Sequence, residues 1–155
     1  MSRTMVTLTR EMQDDYGYNE AIKTLRTNIL FCGSKVRVIM FTSSVPGEGK
    51  SDITLAAAQS MAQLGKKVLV IDGDIRQSVL VTRYQLKEKV NGLSQYLCGQ
   101  KNLEDVIYDT SVENMSMIFA GPYSPNPAEL LEEKLFTSLL EYARGEFDYI
   151  MIDTP

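Results

Sequence analysis

An α/β doubly wound fold with a mostly parallel sheet is the class this 155-residue sequence predicts. Three observations carry it. Four short runs rich in branched apolar residues punctuate the chain: VRVIMF (36–41), KVLVID (67–72), MSMIFA (115–120) and YIMID (149–153). These runs are nearly continuously hydrophobic instead of alternating, which marks strands covered on both faces. The segments between them carry helical periodicity, and alternating strand and helix builds a layered sheet with helices on its faces.

Taken in order, the first 18 residues are polar and read as an N-terminal arm; residues 19–155 read as one domain. A helix is predicted over 19–31, with Ala21, Leu25 and Ile29 on one face. After the first strand, Ile53, Ala57, Met61 and Leu64 recur at helical spacing, and Gly65 supplies a stop. Before the last strand, Leu131, Leu135, Leu139 and Tyr142 mark another helix. Asn126 reads as its N-cap, Pro127 as its first residue, and Glu129 is placed to reach back. Four strands make a partial sheet in which the last strand is a candidate for an unprotected edge.

Composition narrows the functional classes. At 44% hydrophobic and 23% charged, the chain has the make-up of a globular protein with one core. A net charge of −4 with no basic block argues against a nucleic-acid partner. Histidine is absent, which excludes Ser-His or Cys-His nucleophile systems and a His-ligated zinc site. Cys32 and Cys98 match no metal spacing and read as reduced thiols of a cytoplasmic protein. The longest apolar run is far too short to span a bilayer, so any membrane role is expected through a partner.

Residues 43–52, SSVPGEGKSD, lie between the first strand and the following helix, the context a phosphate-binding loop requires. Gly47 and Gly49 let the backbone curl so that consecutive N–H groups face one concavity. The helix beginning near Lys50 adds the partial positive charge of its N-terminus. Lys50 is expected to reach the β- and γ-phosphates and the Ser51 hydroxyl to hold Mg²⁺, with Pro46, Glu48 and Asp52 completing the loop. The pattern G-x-x-x-x-G-K-[ST] begins with glycine, whereas this sequence has Ser44.

Two further carboxylate stations follow. VLVIDGDIR (68–76) places Asp72 and Asp74 two residues apart, aimed together off a strand's C-terminal tip, the edge where open α/β sheets bind ligands. Two carboxylates facing phosphates repel them unless a cation lies between, so the pair implies Mg²⁺. Arg76 is placed to balance charge or touch phosphate. Asp153, closing the last strand, is the third station and a further metal ligand.

With TSSVPGEGKS, VLVIDGDIR and YIMIDTP in this order, the chain resembles the bacterial tyrosine kinases, the cytoplasmic autokinases of capsule and exopolysaccharide synthesis. Residues 44–51, 70–76 and 150–155 correspond to that family's Walker A, A′ and B motifs in a P-loop NTPase fold. NEAIKTLRTNILF (19–31) is similar to the helix that carries the family's E-x-x-R-x-x-R assembly pattern: Glu20 and Arg26 match, and Lys23 stands in place of the first arginine. RQSVL and FAGPYSPNPAELL add to the likeness. The resemblance implies ATP and Mg²⁺ as cofactors, Lys50 on the phosphates, and Ser51, Asp74 and Asp153 toward the metal. It implies that Asp72 accepts the proton of an attacking tyrosine hydroxyl. It also implies a separate transmembrane activator, homo-oligomers built through the Glu20–Arg26 helix, and a place at the inner face of the cell membrane. Relatives continue past the B motif, so a cut or truncated chain is expected here.

The resemblance places phosphorylated tyrosines in a C-terminal cluster, which this sequence lacks. Of its eight tyrosines, Tyr96, Tyr142 and Tyr149 fall in apolar patterns and are expected in or near the core, leaving Tyr16 and Tyr18 as candidate acceptors. Two other functions stay open. A ParA/MinD-like ATPase shares the A′ motif, but its signature lysine near the start of the loop has no counterpart in SSVPG, and no C-terminal amphipathic membrane helix is evident. A non-catalytic nucleotide-binding fragment is the third reading.

Overall fold

In the computed structural model, residues 3–8, 15–44, 49–75, 80–84, 86–122, 124, 126–131 and 134–154 are described. Among these residues, six strands form one sheet: β1 (Met5–Val6), β2 (Val38–Phe41), β3 (Val68–Asp72), β4 (Ile107–Thr110), β5 (Met115–Ile118) and β6 (Tyr149–Asp153). Their spatial order is β1-β4-β5-β3-β6-β2, and every pairing is parallel except β4 with β5. The expected doubly wound, mostly parallel sheet is therefore present, with two strands more than the four apolar runs.

β3 and β6 are buried at all five positions, as their uninterrupted hydrophobicity requires of central strands. Alternate residues feed two cores. Val68 and Val70 pack with Tyr149, Met151, Ala57, Ala58 and Met61 on the side of α1 (Tyr16–Phe31) and α2 (Lys50–Gln63). Leu69 and Ile71 pack with Ile150, Ile152, Leu139 and Ala143 on the side of α6 (Lys134–Glu146). Three shorter helices, α3 (Leu80–Arg83), α4 (Leu93–Leu97) and α5 (Pro127–Leu131), fill the connections. α2 stops as expected at Gly65, whose φ of 81° suits a left-handed helix end and whose N–H returns to Ala62 O at 2.9 Å.

Several expectations are corrected. Residues 1–18 are not simply an arm: β1 pairs with β4, Val6 is fully buried, and α1 starts at Tyr16, capped by Asp15. A two-residue strand flanked by threonines carries no periodicity of its own; pairing creates it. β4 was hidden for a similar reason, since IYDT mixes polar and apolar residues and borders solvent at one position. The last helical segment is described in two stretches, α5 and α6, with residues 132 and 133 outside the described residues. The buried stripe of α6 is Leu139 with Ala143, while Leu135 and Tyr142 are more than a third exposed. Finally, β6 is no edge. It lies between β3 and β2, and β2 forms the margin, with Met40 65% exposed there.

Candidate nucleotide and metal site

The insertion of β6 between β2 and β3 brings three strand ends together. The crevice opens at their C-terminal tips, where the chain leaves β2 toward α2 and later returns from the far side. Asp72 and Asp153 are register partners across the β3–β6 ladder, and each is 1% exposed. Gly73 locks the two stations together. Its N–H donates to Asp153 O at 2.7 Å, and a Cβ at this position would stand 2.8 Å from the same oxygen. Here DGD is more than a turn: the glycine is required by backbone approach. The Asp74 N–H donates to Asp72 Oδ1 at 3.1 Å and orients that carboxylate.

α2 begins immediately after Gly49. Gly49 is its N-cap at φ 76°, a left-handed conformation costly for other residues, and Ile53 N–H closes the first turn on Gly49 O at 3.0 Å. The first two helical residues both reach Asp153. Lys50 Nζ lies 2.6 Å from Oδ1, and Ser51 Oγ donates to Oδ2 at 2.5 Å. With 15% of the Lys50 side chain exposed, this ion pair is nearly dry. On the other flank, Thr154 Oγ1 donates to Phe41 O at 2.7 Å, tying β6 to the strand that feeds the loop.

Of the residues expected from sequence, Lys50, Ser51, Asp72, Asp74 and Asp153 are brought to one sheet edge. Gly49 and Asp52 flank them on α2. Pro46, Gly47, Glu48 and Arg76 lie outside the described residues. Sequence reasoning missed the tyrosine environment of Asp52. Tyr84, 4% exposed, donates its hydroxyl to Asp52 Oδ1 at 3.4 Å. Tyr18 is half-buried, and its hydroxyl is raised above the ordinary 10.0, chiefly by burial and secondarily by the charge of Asp52. Tyr16, in contrast, is 82% exposed. Arg26, expected at an assembly surface, turns inward and donates to Ser60 Oγ at 3.0 Å, while Glu20 pairs with Lys23 at 3.4 Å.

A glycine-capped helix following a strand, with its first lysine and serine gripping a strand-end aspartate, is the arrangement of the P-loop class of nucleotide-binding domains. Residues 36–155 match the family model described as an AAA domain. The chain is 43% identical over 136 residues to the tyrosine-protein kinase CpsD of Streptococcus pneumoniae serotype 4, covering 88% of this chain and 60% of that protein. The BceF tyrosine kinase domain superposes with a TM-score of 0.84 at 36% identity, over 96% of this chain and 60% of that one. The chain belongs to the AAA domain family and, within it, to the bacterial tyrosine kinases. A more distant neighbour is the septum site-determining protein MinD of Pyrococcus horikoshii, complexed with Mg-ADP, at a TM-score of 0.65 and 28% identity over 77% of this chain and 49% of that one. Membership of this family implies nucleotide binding. No helix among the described residues is long and apolar enough to cross a membrane.

Proposed function

We propose that this chain is the ATP-binding core of a protein-tyrosine autokinase serving capsular or exopolysaccharide synthesis. The observation that carries the reading is the convergence of Lys50 and Ser51 on Asp153, with Asp72 in register beside it. Phosphoryl transfer asks a protein mainly for alignment and charge neutralisation, and this set supplies both. The Lys50 ammonium exchanges Asp153 for the β- and γ-phosphates of ATP, which the N-terminus of α2 also attracts. Asp72 accepts the proton as the tyrosine oxygen attacks the γ-phosphorus and the bond to the β–γ bridging oxygen breaks. Asp74 holds Asp72 in place through its N–H.

The donor set fits Mg²⁺. The buried Asp72 and Asp153 carboxylates and the Ser51 hydroxyl are hard oxygen donors. Magnesium keeps several waters and is completed by substrate phosphates. Ser51, Asp153, Asp72 and Asp74 would hold it, and when bound it supplies positive charge to the transferring phosphoryl group.

The same reading places the protein in the cytoplasm at the inner membrane face, activated by a separate transmembrane partner and assembling through the Glu20–Arg26 helix. It is tested by incubating the chain with Mg-ATP and mapping phosphotyrosine by mass spectrometry beside Lys50→Met. Phosphotyrosine that disappears in the variant supports the kinase. Phosphate release without it favours a MinD-like ATPase, a reading the Mg-ADP neighbour keeps open. Nucleotide binding without either product favours a non-catalytic module.

A further inference from the structure

The packing of α1 on α2 has a constant register. Arg26 meets Ser60, and one turn earlier Ile22 faces the same groove as Ala56; both pairs are 34 residues apart. One more helical turn toward both N-termini, the same offset sets Tyr18 over Asp52. The charge of Asp52 is accordingly felt at the half-buried Tyr18 hydroxyl. From the other side, following α3, the buried Tyr84 hydroxyl reaches Asp52 Oδ1 at 3.4 Å. The Tyr84 hydroxyl thus binds the Asp52 carboxylate directly, while the Tyr18 phenol, on a separate element, lies near enough for that charge to act on it.

That position is chemically awkward for an acid. A negative side chain in the first turn of α2 is favourable to the helix dipole, but it stands where the helix end and Lys50 attract phosphate. A carboxylate free to swing toward the loop would compete for Lys50 and repel the nucleotide. We propose that Tyr84, with Tyr18 closing the opposite side, is a positioning residue that holds the Asp52 carboxylate off the phosphate loop and so sets nucleotide affinity. The proposal rests on the nucleotide site described above, and it concerns binding, not the transfer step.

The test is a double-mutant cycle on the full chain, read by calorimetric titration with Mg-ADP. Tyr84→Phe is expected to weaken binding about five-fold while the melting temperature moves little, since the ring is kept. In the Asp52→Asn background, where there is no charge to restrain, the same Tyr84→Phe change is expected to leave affinity unaltered. Tyr18→Phe should act in the same direction, less strongly, and also only while Asp52 is charged. Affinity unchanged in Tyr84→Phe, or weakened equally in both backgrounds, overturns the clamp. A parent chain that does not bind Mg-ADP at all overturns the nucleotide site itself, a different result visible before any variant is made.

Discussion

Replacing Asp153 by asparagine is the sharpest probe of the site, because one carboxylate here serves two partners. In the native arrangement Oδ1 faces Lys50 Nζ at 2.6 Å and Oδ2 accepts from Ser51 Oγ, with the aspartate 1% exposed. Breaking a buried pair by removing one charge typically costs about 3–5 kcal/mol, since the survivor stays desolvated. The 15% exposure of the Lys50 side chain and the oxygen retained by asparagine relieve part of this. We expect a loss of about 2–3 kcal/mol, or about 5–10 °C in melting temperature for a chain of this size. The second effect has the opposite sign. Metal-free ADP brings its phosphates toward a carboxylate, so Asp153→Asn should bind it more tightly than the parent does. Mg-ADP should instead lose affinity, because a ligand has gone. The assay is thermal melting with EDTA, with ADP and EDTA, and with Mg-ADP. A variant that melts like the parent, or that keeps the parent's gain on adding magnesium, would refute the assignment of Asp153 to both roles.

Other perturbations bear on the frame around the site. Gly73→Ala places a Cβ 2.8 Å from Asp153 O, so β3 and β6 must part at their tips; a cost of about 1–3 kcal/mol in urea unfolding and weaker nucleotide binding are expected. Arg37 donates to the carbonyls of Arg144, Phe147 and Asp148, fastening the turn between α6 and β6 to the start of β2. Arg37→Ala should cost about 2 kcal/mol, and Arg37→Lys, lacking the planar fork, should restore only part of it. Tyr96, buried with its hydroxyl on Leu135 O at 2.9 Å, has its pKa raised above 10.0 by burial. The folded state thus keeps a proton the unfolded chain releases, so stability is full below about pH 10 and falls as pH rises through the raised value. Tyr96→Phe should lower stability by about 1 kcal/mol at neutral pH and flatten that alkaline decline, checked by urea titrations at several pH values.

The difference between what was readable in the sequence and what was not follows from where each signal is generated. Lys50, Ser51, Asp72 and Asp153 were legible because each sits at a fixed offset from a local feature: a glycine turn, or the end of an uninterrupted apolar strand. Such features are written in consecutive residues. The short strands Met5–Val6 and Ile107–Thr110 have no such writing: β1 finds its partner β4 only after the chain has folded, and the mixed polarity of IYDT leaves β4 without an apolar run even though β5 follows close behind it. Tyr84 and Asp52 are 32 residues apart on elements that meet only after folding, so their pairing carried no local sign.

The position of β6 shows why the order of strands matters chemically. Placed at the sheet margin, as the sequence expectation had it, Asp153 would have one neighbouring strand and a side open to water. Inserted between β3 and β2, it has Asp72 in register on one side and Phe41 on the other, with Thr154 bonded to Phe41 O. A carboxylate so enclosed is desolvated, and desolvation strengthens its attraction for the lysine of the loop. The loop and the strand-end aspartate are more than 100 residues apart, yet the crossover that inserts β6 makes them direct partners. Moving the strand to the edge would keep every motif intact and still loosen the site, because the grip of Lys50 and Ser51 on Asp153 depends on its being enclosed on both sides.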